Sequence, residues 1–398
     1  MSSAPKLRFK EFCDKWKKIM FYDCVSIRNG QVNPKEPPYS QMPHIGPANI
    51  EKYTGRLLEY KRAYEENLVS GKYYFNENDI IYSKIRPNLA KVAFPKFCGI
   101  CSADAYPIET KKSVAIPEFI FYYMLGERFT KYAVALSERT KMPKINRTEL
   151  AGFDFNIPSI AEQKKITKFL SVIDKKMQIQ QKKVEYLQDY KKGIVQRVFS
   201  QEIRFKDENG EAYPEWGEIQ LSEVLAERKT YSNKGLEYPH VTLSIDGIYD
   251  KGERYERDFL VKTENKKYKI TLLGDICYNP ANLKFGVISV NNYGSAIFSP
   301  IYVTFEVKKM FDYNFIGYLL MRKDFIDRIR KYEEGTVYER MAVKPEDFLK
   351  YKTKFPCLCE QEKIAKFFLK IDEKIQKEKD KLELLSMLRK GLLQQMFV

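Results

Sequence analysis

PSIAEQKKITKFLSVIDKKMQIQQKKVEYLQDYKKGIVQRVF, residues 158–199, and PCLCEQEKIAKFFLKIDEKIQKEKDKLELLSMLRKGLLQQMF, residues 356–397, align without a gap at a constant offset of 198, with 18 of 42 positions identical. Chance does not produce such a match, and internal repeats are the first thing to settle in any sequence. The repetition extends upstream. Leu7-Arg-Phe-Lys10 returns as Ile203-Arg-Phe-Lys206, Trp16 as Trp216, and Pro43-His44 as Pro239-His240, so the 2 Trp and the 2 His are repeat partners. Asp79-Ile80 with Tyr82 returns as Asp275-Ile276 with Tyr278, and Phe119-Ile120 with Tyr122 as Phe315-Ile316 with Tyr318. The chain therefore reads as two copies of one unit. The copies diverge most in Asn29–Ser70 and Asn233–Glu264, which share little beyond the Pro-His pair.

The well-matched segments carry a heptad pattern. Ile166, Leu170, Ile173, Met177, Val184 and Leu187 fall on a four-three spacing that Ile194 and Val198 continue, with Gln180 and Lys191 as polar seam positions. The second copy repeats it with Ile364, Phe368, Ile371, Ile375, Leu382 and Leu385, continued by Leu392 and Met396, with Glu378 and Arg389 at the polar positions. One apolar stripe flanked by Lys, Gln and Glu is a coiled-coil seam. Pro158 and Pro356 mark where each helix starts. About 38 residues rising 1.5 Å each give a rod of roughly 57 Å. Such a helix needs a partner for its stripe, and the other copy, running antiparallel, is the expected one.

The segments between read as α+β. Asp79–Tyr82, Gly274–Tyr278, Gly286–Val290 and Ile301–Val307 are β-rich runs, and Pro117–Tyr132 and Asp312–Arg330 are helical. The expected fold class is thus α+β with an internal duplication. Two α+β domains, residues 1–157 and 201–355, are separated by two long helical segments, residues 158–200 and 356–398, pairing as an antiparallel coiled coil.

Composition narrows the partners. Lys and Arg number 69 against 53 Asp and Glu, a formal net charge of +16. That surplus fits a polyanion such as nucleic acid, though a Lys-rich composition alone would also produce it. Basic residues in turn-rich stretches sharpen the point: Lys84, Arg86 and Asn88; Arg139, Lys141, Lys144 and Arg147; Arg254 and Arg257; Lys284; Arg340 and Lys344. Arg and Lys in loops suit phosphates and guanine edges, and Asn suits adenine. The longest apolar runs, such as Phe119–Leu125, are too short to cross a bilayer, and Lys6, Arg8 and Lys10 interrupt any N-terminal signal. A soluble, cytoplasmic protein without a membrane partner is expected. The 7 cysteines form no secreted-type framework. Cys98-Gly-Ile-Cys101 has metal-pair spacing and Cys357-Leu-Cys359 lies far downstream, with no four-ligand set. These are expected to be buried thiols in a reducing compartment.

No catalytic set emerges. No Walker loop and no G-x-G-x-x-G occurs. Asn279-Pro-Ala-Asn282 lacks the second proline and the aromatic ring of an adenine methyltransferase motif. His44 and His240, at equivalent points of the two copies, read as packing or base-contacting residues rather than general bases. No catalytic residue, metal ligand or cofactor is assigned.

Leu7-Arg-Phe-Lys-Glu-Phe12 with Trp16, Asp79-Ile-Ile-Tyr-Ser-Lys-Ile-Arg-Pro-Asn88, Ser299-Pro-Ile-Tyr302 and the twice-used Pro…Glu-Gln-x-Lys-Ile helix opening resemble the DNA specificity subunit of type I restriction–modification systems. The resemblance covers essentially the whole chain. It implies that residues 1–157 and 201–355 are target-recognition domains, each reading one half of a bipartite duplex DNA target. Residues 158–200 and 356–398 would be spacers that dock modification (methyltransferase) subunits, expected to number two. It implies as further partner an ATP-dependent restriction subunit that translocates and cuts. The competing readings are a coiled-coil scaffold that binds protein through its globular parts, and a fused methyltransferase–specificity chain.

Overall fold

The structure is a computed structural model that describes residues 5–137, 143–233, 238–251, 267–334 and 342–397. It is mixed α and β, and divides into two compact units. The first comprises Met1–Lys183 with Glu378–Val398, the second Val184–Lys377. The boundaries fall inside the two long helices, Ile160–Phe199 and Leu358–Met396.

In the first unit a four-stranded antiparallel sheet runs in the order Val25–Ile27, Ala105–Thr110, Ile80–Ser83, Val92–Ala93. A second sheet orders Gln31–Val32, Lys72–Phe75, Gly99–Cys101 and His44–Ile45, the last pair parallel. Ile80–Ser83 is buried at every position because the two sheets and the helix Pro117–Leu125 cover both its faces. Such a strand reads as a continuous apolar run rather than an alternating one. The helical stretch Pro117–Tyr132 is two helices, Pro117–Leu125 and Glu127–Ser137, broken at Gly126. A Cβ on Gly126 would sit 2.9 Å from the Tyr123 carbonyl.

The second unit has a four-stranded sheet in the order Leu225–Glu227, Val303–Val307, Ile276–Tyr278, Ile288–Val290. Beside it lie a three-stranded sheet of Tyr231–Asn233, Lys267–Thr271 and Ala296–Phe298 and a hairpin of Val241–Ser244 with Gly247–Asp250. Asp312–Arg330 likewise resolves into Tyr313–Leu320 and Lys323–Ile329, the first capped by the Asp312 carboxylate on the Phe315 N–H.

Each unit contains a pair of helix segments. In the first, Ile166, Leu170 and Ile173 share a buried cluster with Leu392, Leu393, Met396 and Phe397, and Met177 packs at its margin. Phe397 meets Phe119 and Tyr123 at ring separations of 5.4 Å. In the second, Val198 and Phe199 cluster with Ile364, Ala365 and Phe368, with Ile371 at the margin. Val184, Leu187 and Ile375 are buried, while Leu382 and Leu385 are only half-covered. The polar seam positions all find partners. Gln180 Nε2 donates to the Glu378 carbonyl at 2.8 Å and to its carboxylate at 2.7 Å. Lys191 pairs with Asp372, and Arg389 with Asp174. Gln180's hydrogen bond, with Lys183 and Lys381, holds the Glu378 carboxyl down at about 2.

The identical Glu-Gln pair that opens each long helix ties it to its own globular part. Glu162 accepts two bonds of 2.8 Å from Arg8, and Glu360 accepts from Arg204 at 3.1 and 2.9 Å and from Trp216 Nε1 at 3.1 Å. Gln163 donates to the Pro158 and Val114 carbonyls and accepts from the Ile116 N–H. Gln361 donates to the Pro356 carbonyl and accepts from the Asp312 N–H. These amides close backbone groups at the helix start that would otherwise be buried unpaired.

The cysteine expectation needs correction. Cys101 is buried, but Cys98, Cys357 and Cys359 are exposed. Cys98 lies just before the strand Gly99–Cys101, and the other two face outward where the second long helix begins. Burial raises the Cys101 and Cys277 thiols and pushes Cys24 up to about 12. No helix among the described residues is long and apolar enough to cross a membrane.

Candidate nucleic-acid interface

In the first unit the loop leaving Ile80–Ser83 is fixed almost entirely by backbone bonds. Lys84 N–H donates to the Asp104 carbonyl, Arg86 N–H to Pro143 at 2.8 Å, and Ile145 N–H to the Lys84 carbonyl at 3.0 Å. Ile85 and Lys144 form an isolated antiparallel bridge. Two basic stretches far apart in sequence are thereby laid side by side. Arg86 sits at φ 50, ψ 58 ahead of the 3-10 turn Pro87–Leu89, and Ala90 ends that turn at φ 42. Left-handed backbone at two non-glycine residues costs about 1–2 kcal/mol each and persists only where surrounding structure over-determines it. Pro87 is buried, while Arg86, Asn88 and Lys144 are exposed. The loop so presents a guanidinium, an amide and an ammonium on one rigid backbone.

Two other predicted residues face inward. Arg147 Nη1 donates to the carbonyls of Ile27 (3.1 Å) and Arg28 (2.7 Å), and its guanidinium lies 5.1 Å from the Tyr73 ring centre and 4.8 Å from that of Tyr106. It clamps one sheet onto the other, and its hydrogen bond lowers the Tyr73 hydroxyl below the usual tyrosine value. Lys84 is 16% exposed, 3.9 Å from the Asp104 carboxylate and above the Tyr106 ring.

The second unit has a loop in the corresponding place. Tyr278 OH donates to the Val343 carbonyl at 3.0 Å, and Val343 N–H to Pro280 at 3.4 Å. That backbone contact carries Lys344 to the loop Asn279–Gly286, much as Tyr106 OH to the Ile145 carbonyl at 3.5 Å does in the first unit. Asn279 is buried and its side-chain oxygen accepts from Ala281 and Asn282 N–H. It caps its own turn. Lys284 is exposed over the ring of Phe285, itself 66% exposed. Arg139, Lys141, Arg254, Arg257 and Arg340 lie outside the described residues.

Sequence reasoning missed the ion pairs behind the repeated Asp-Ile motif. Arg28 contacts Asp79 at 2.5 Å and Glu109 at 3.1 Å, and Arg228 contacts Asp275 at 2.7 Å and Glu306 at 3.4 Å. Both aspartates also accept a backbone N–H, from Asn76 and Leu272. The signal was there, since a repeated Asp before a buried strand calls for a cation. His44 is buried, its Nδ1 2.7 Å from Glu66, and burial lowers its pKa below the ordinary 6.5 despite that carboxylate. His240 packs edge-on against Tyr268. Among the described residues no group of three or more His, Cys, Asp or Glu could hold a metal ion.

Residues 14–189 match a family profile described as the type I restriction modification DNA specificity domain. The chain is 35% identical over 173 residues to the EcoDI specificity subunit of Escherichia coli, a stretch covering 42% of this chain and 38% of that one. It is 26% identical over 332 residues to the MjaVIII specificity subunit of Methanocaldococcus jannaschii, covering 77% and 76%. The chain thus spans well under half of the first relative and about three quarters of the second. In fold it is similar to the crystal structure of a type I restriction-modification S subunit from M. genitalium. The TM-score is 0.56 at 16% identity, over 99% of both chains.

Proposed function

We propose, from the match of residues 14–189 to the type I restriction modification DNA specificity domain, that this chain is a cytoplasmic, non-catalytic DNA-reading subunit of that family. The observation that carries the reading is the pair of basic loops at corresponding places in the two units: Arg86, Asn88 and Lys144 in one, Lys284 and Lys344 in the other. Residues 1–157 and 201–355 act as target-recognition domains, each reading one half of a bipartite duplex. The two differ most in their variable segments, so the half-sites differ and the target is asymmetric.

Residues 158–200 and 356–398 act as spacers, paired as an antiparallel coiled coil of the two repeat copies. The interhelical clusters and polar seam pairs within each unit support this. A fixed helical separation holds the half-sites near one turn of DNA apart, roughly 34–36 Å. The helices also carry apolar side chains with no place in the seam. Ile179, Leu384, Met387 and Leu388 in the first unit and Tyr186 and Tyr190 in the second are 45–69% exposed. Exposed apolar residues grouped on a helix mark a protein contact. Two methyltransferase subunits dock there, and an ATP-dependent restriction subunit joins through the complex.

Binding of the purified chain to mixed-sequence duplex DNA at several salt concentrations tests the reading. Affinity should fall linearly in log–log form as salt rises, and the chain alone should transfer no methyl group from S-adenosylmethionine. A coiled-coil scaffold would not bind DNA at low salt, and a fused methyltransferase would modify it; either result overturns the proposal.

A further inference from the structure

Within the variable segment of the first unit, the turn Tyr53-Thr54-Gly55 is held from three sides. Arg389, on the second long helix, reaches it with both terminal nitrogens. Nη1 donates to the Tyr53 carbonyl at 3.4 Å and Nη2 to the Thr54 carbonyl at 2.9 Å. The Arg389 Nε is meanwhile fixed on Asp174 at 2.5 Å, whose other oxygen accepts from Tyr122 OH at 2.9 Å. From beneath, Gly55 (φ +81) lies so close to Phe121 that a Cβ would meet its ring at 2.4 Å. On the third side Tyr53 N–H donates at 3.2 Å to the carbonyl of Leu89.

Leu89 closes the short turn that presents Arg86 and Asn88, its own N–H returning to the Arg86 carbonyl at 3.0 Å. Tyr53 is at φ 66, Arg86 at φ 50 and Ala90 at φ 42. Three non-glycine residues in left-handed backbone, joined by one hydrogen-bonded route, make an arrangement that needs external support. The support ends on a guanidinium that is 7% exposed. Only a planar fork with several fixed donors satisfies a carboxylate and two carbonyls at once.

We propose that Arg389 is a positioning residue that locks the Tyr53–Thr54 turn and, through Leu89, the Arg86 loop, so that the second long helix sets the geometry with which the first domain reads its half-site. The inference rests on the recognition role proposed above. The counterpart in the other unit is Lys191, whose ammonium bonds both Asp372 oxygens at 2.6 and 2.8 Å and lies over Tyr318. Among the described residues it makes no bond to a recognition-segment carbonyl.

Arg389→Lys installs what the repeat carries at the other site, keeping the pair with Asp174 and losing the fork. Methylation mapping of genomic DNA from cells producing the complete complex reads the effect. Discrimination at the half-site read by residues 1–157 should drop about tenfold at one position or more, with the other half-site and the gap unchanged. Amide exchange in the purified complex should quicken at Tyr53 and Leu89. Gly55→Ala, whose Cβ would meet the Phe121 ring at 2.4 Å, displaces the same turn with Arg389 intact and should reproduce the relaxed half-site, which decides the matter should Arg389→Lys not fold. Unchanged discrimination, or an equal loss at both half-sites, overturns the coupling. A wild-type complex that reads no bipartite target defeats the recognition role and this inference with it, so the two failures are told apart by the wild-type map.

Discussion

Glu360 and Glu162 hold equivalent positions at the start of the two long helices, yet they should not cost the same to remove. Glu360 is fully buried and accepts from Arg204 twice and from Trp216 Nε1 once. Among the described residues the Glu162 carboxylate accepts only from Arg8, and Trp16 Nε1 is buried without a hydrogen-bond partner. Breaking a buried ion pair from one side costs about 3–5 kcal/mol. Here the arginines are 16% and 22% exposed, and Arg204 can turn to Glu215, 3.4 Å away. Solvent therefore softens both losses, to about 2 kcal/mol for Glu162→Ala. Glu360→Ala loses in addition the Trp216 bond, worth about 1 kcal/mol, for a total of about 3. For units of this size the melting temperature should fall by roughly 4–8 °C for Glu162→Ala and 6–12 °C for Glu360→Ala. Thermal unfolding of the purified chain gives the melting temperatures, and urea unfolding followed by circular dichroism and tryptophan fluorescence gives the free-energy losses. Glu360→Gln, which keeps an acceptor, should recover part of the loss. If Glu162→Ala costs as much as Glu360→Ala, or both are neutral, the hydrogen-bond account of the helix start is wrong.

Replacing Ile173 and Ile371 together by Asp places one carboxylate in a buried helix cluster and one at the margin of the other and should cost several kcal/mol; a double variant that unfolds at the wild-type urea midpoint would exclude the seam. On the acid side two groups shape the pH dependence of stability. His44 has a lowered folded pKa, so stability is full above 6.5 and falls as pH drops below it, a slope that His44→Gln should remove. Glu378, held at about 2 against an ordinary 4.5, contributes stability that is present above 4.5 and lost as pH falls toward 2; Glu378→Gln should flatten that lower window only. For Arg86→Ala, loss of a phosphate contact would weaken all duplexes equally and reduce the salt slope by about one, whereas loss of a base contact would cost about 1–3 kcal/mol at one position. A lowered melting temperature with an unchanged salt slope would make Arg86 a brace, and unchanged affinity on the true target would remove it from the interface.

What could be read from the chain followed distance in sequence. The heptad stripe was legible because its period is local, and Ile166, Leu170, Ile364 and Phe368 are all buried. The Glu-Gln pairs were visible as identities, but their role was not. It depends on Arg8 and Arg204, more than 150 residues away. Arg147 looked like any loop arginine. Its partners, the carbonyls of Ile27 and Arg28, lie 120 and 119 residues away, and nothing near it in sequence betrays that they approach. Cys98 and Cys101 looked alike, and which side of the chain is covered is decided by neighbours the sequence does not put next to them. Arg86 and Lys144 were named separately. Their adjacency comes from the Ile85–Lys144 bridge, a tertiary fact.

The central claim is that each globular domain reads its own half of a divided target while the helices fix the interval. Exchanging residues 1–155 for the corresponding part of another specificity subunit, and mapping methylated adenines across a genome by long-read sequencing, tests it most directly. The account predicts an asymmetric bipartite motif in which the exchange alters one half-site and leaves the other half-site and the unread gap as they were. A continuous palindromic motif, or an exchange that alters both half-sites, would contradict it.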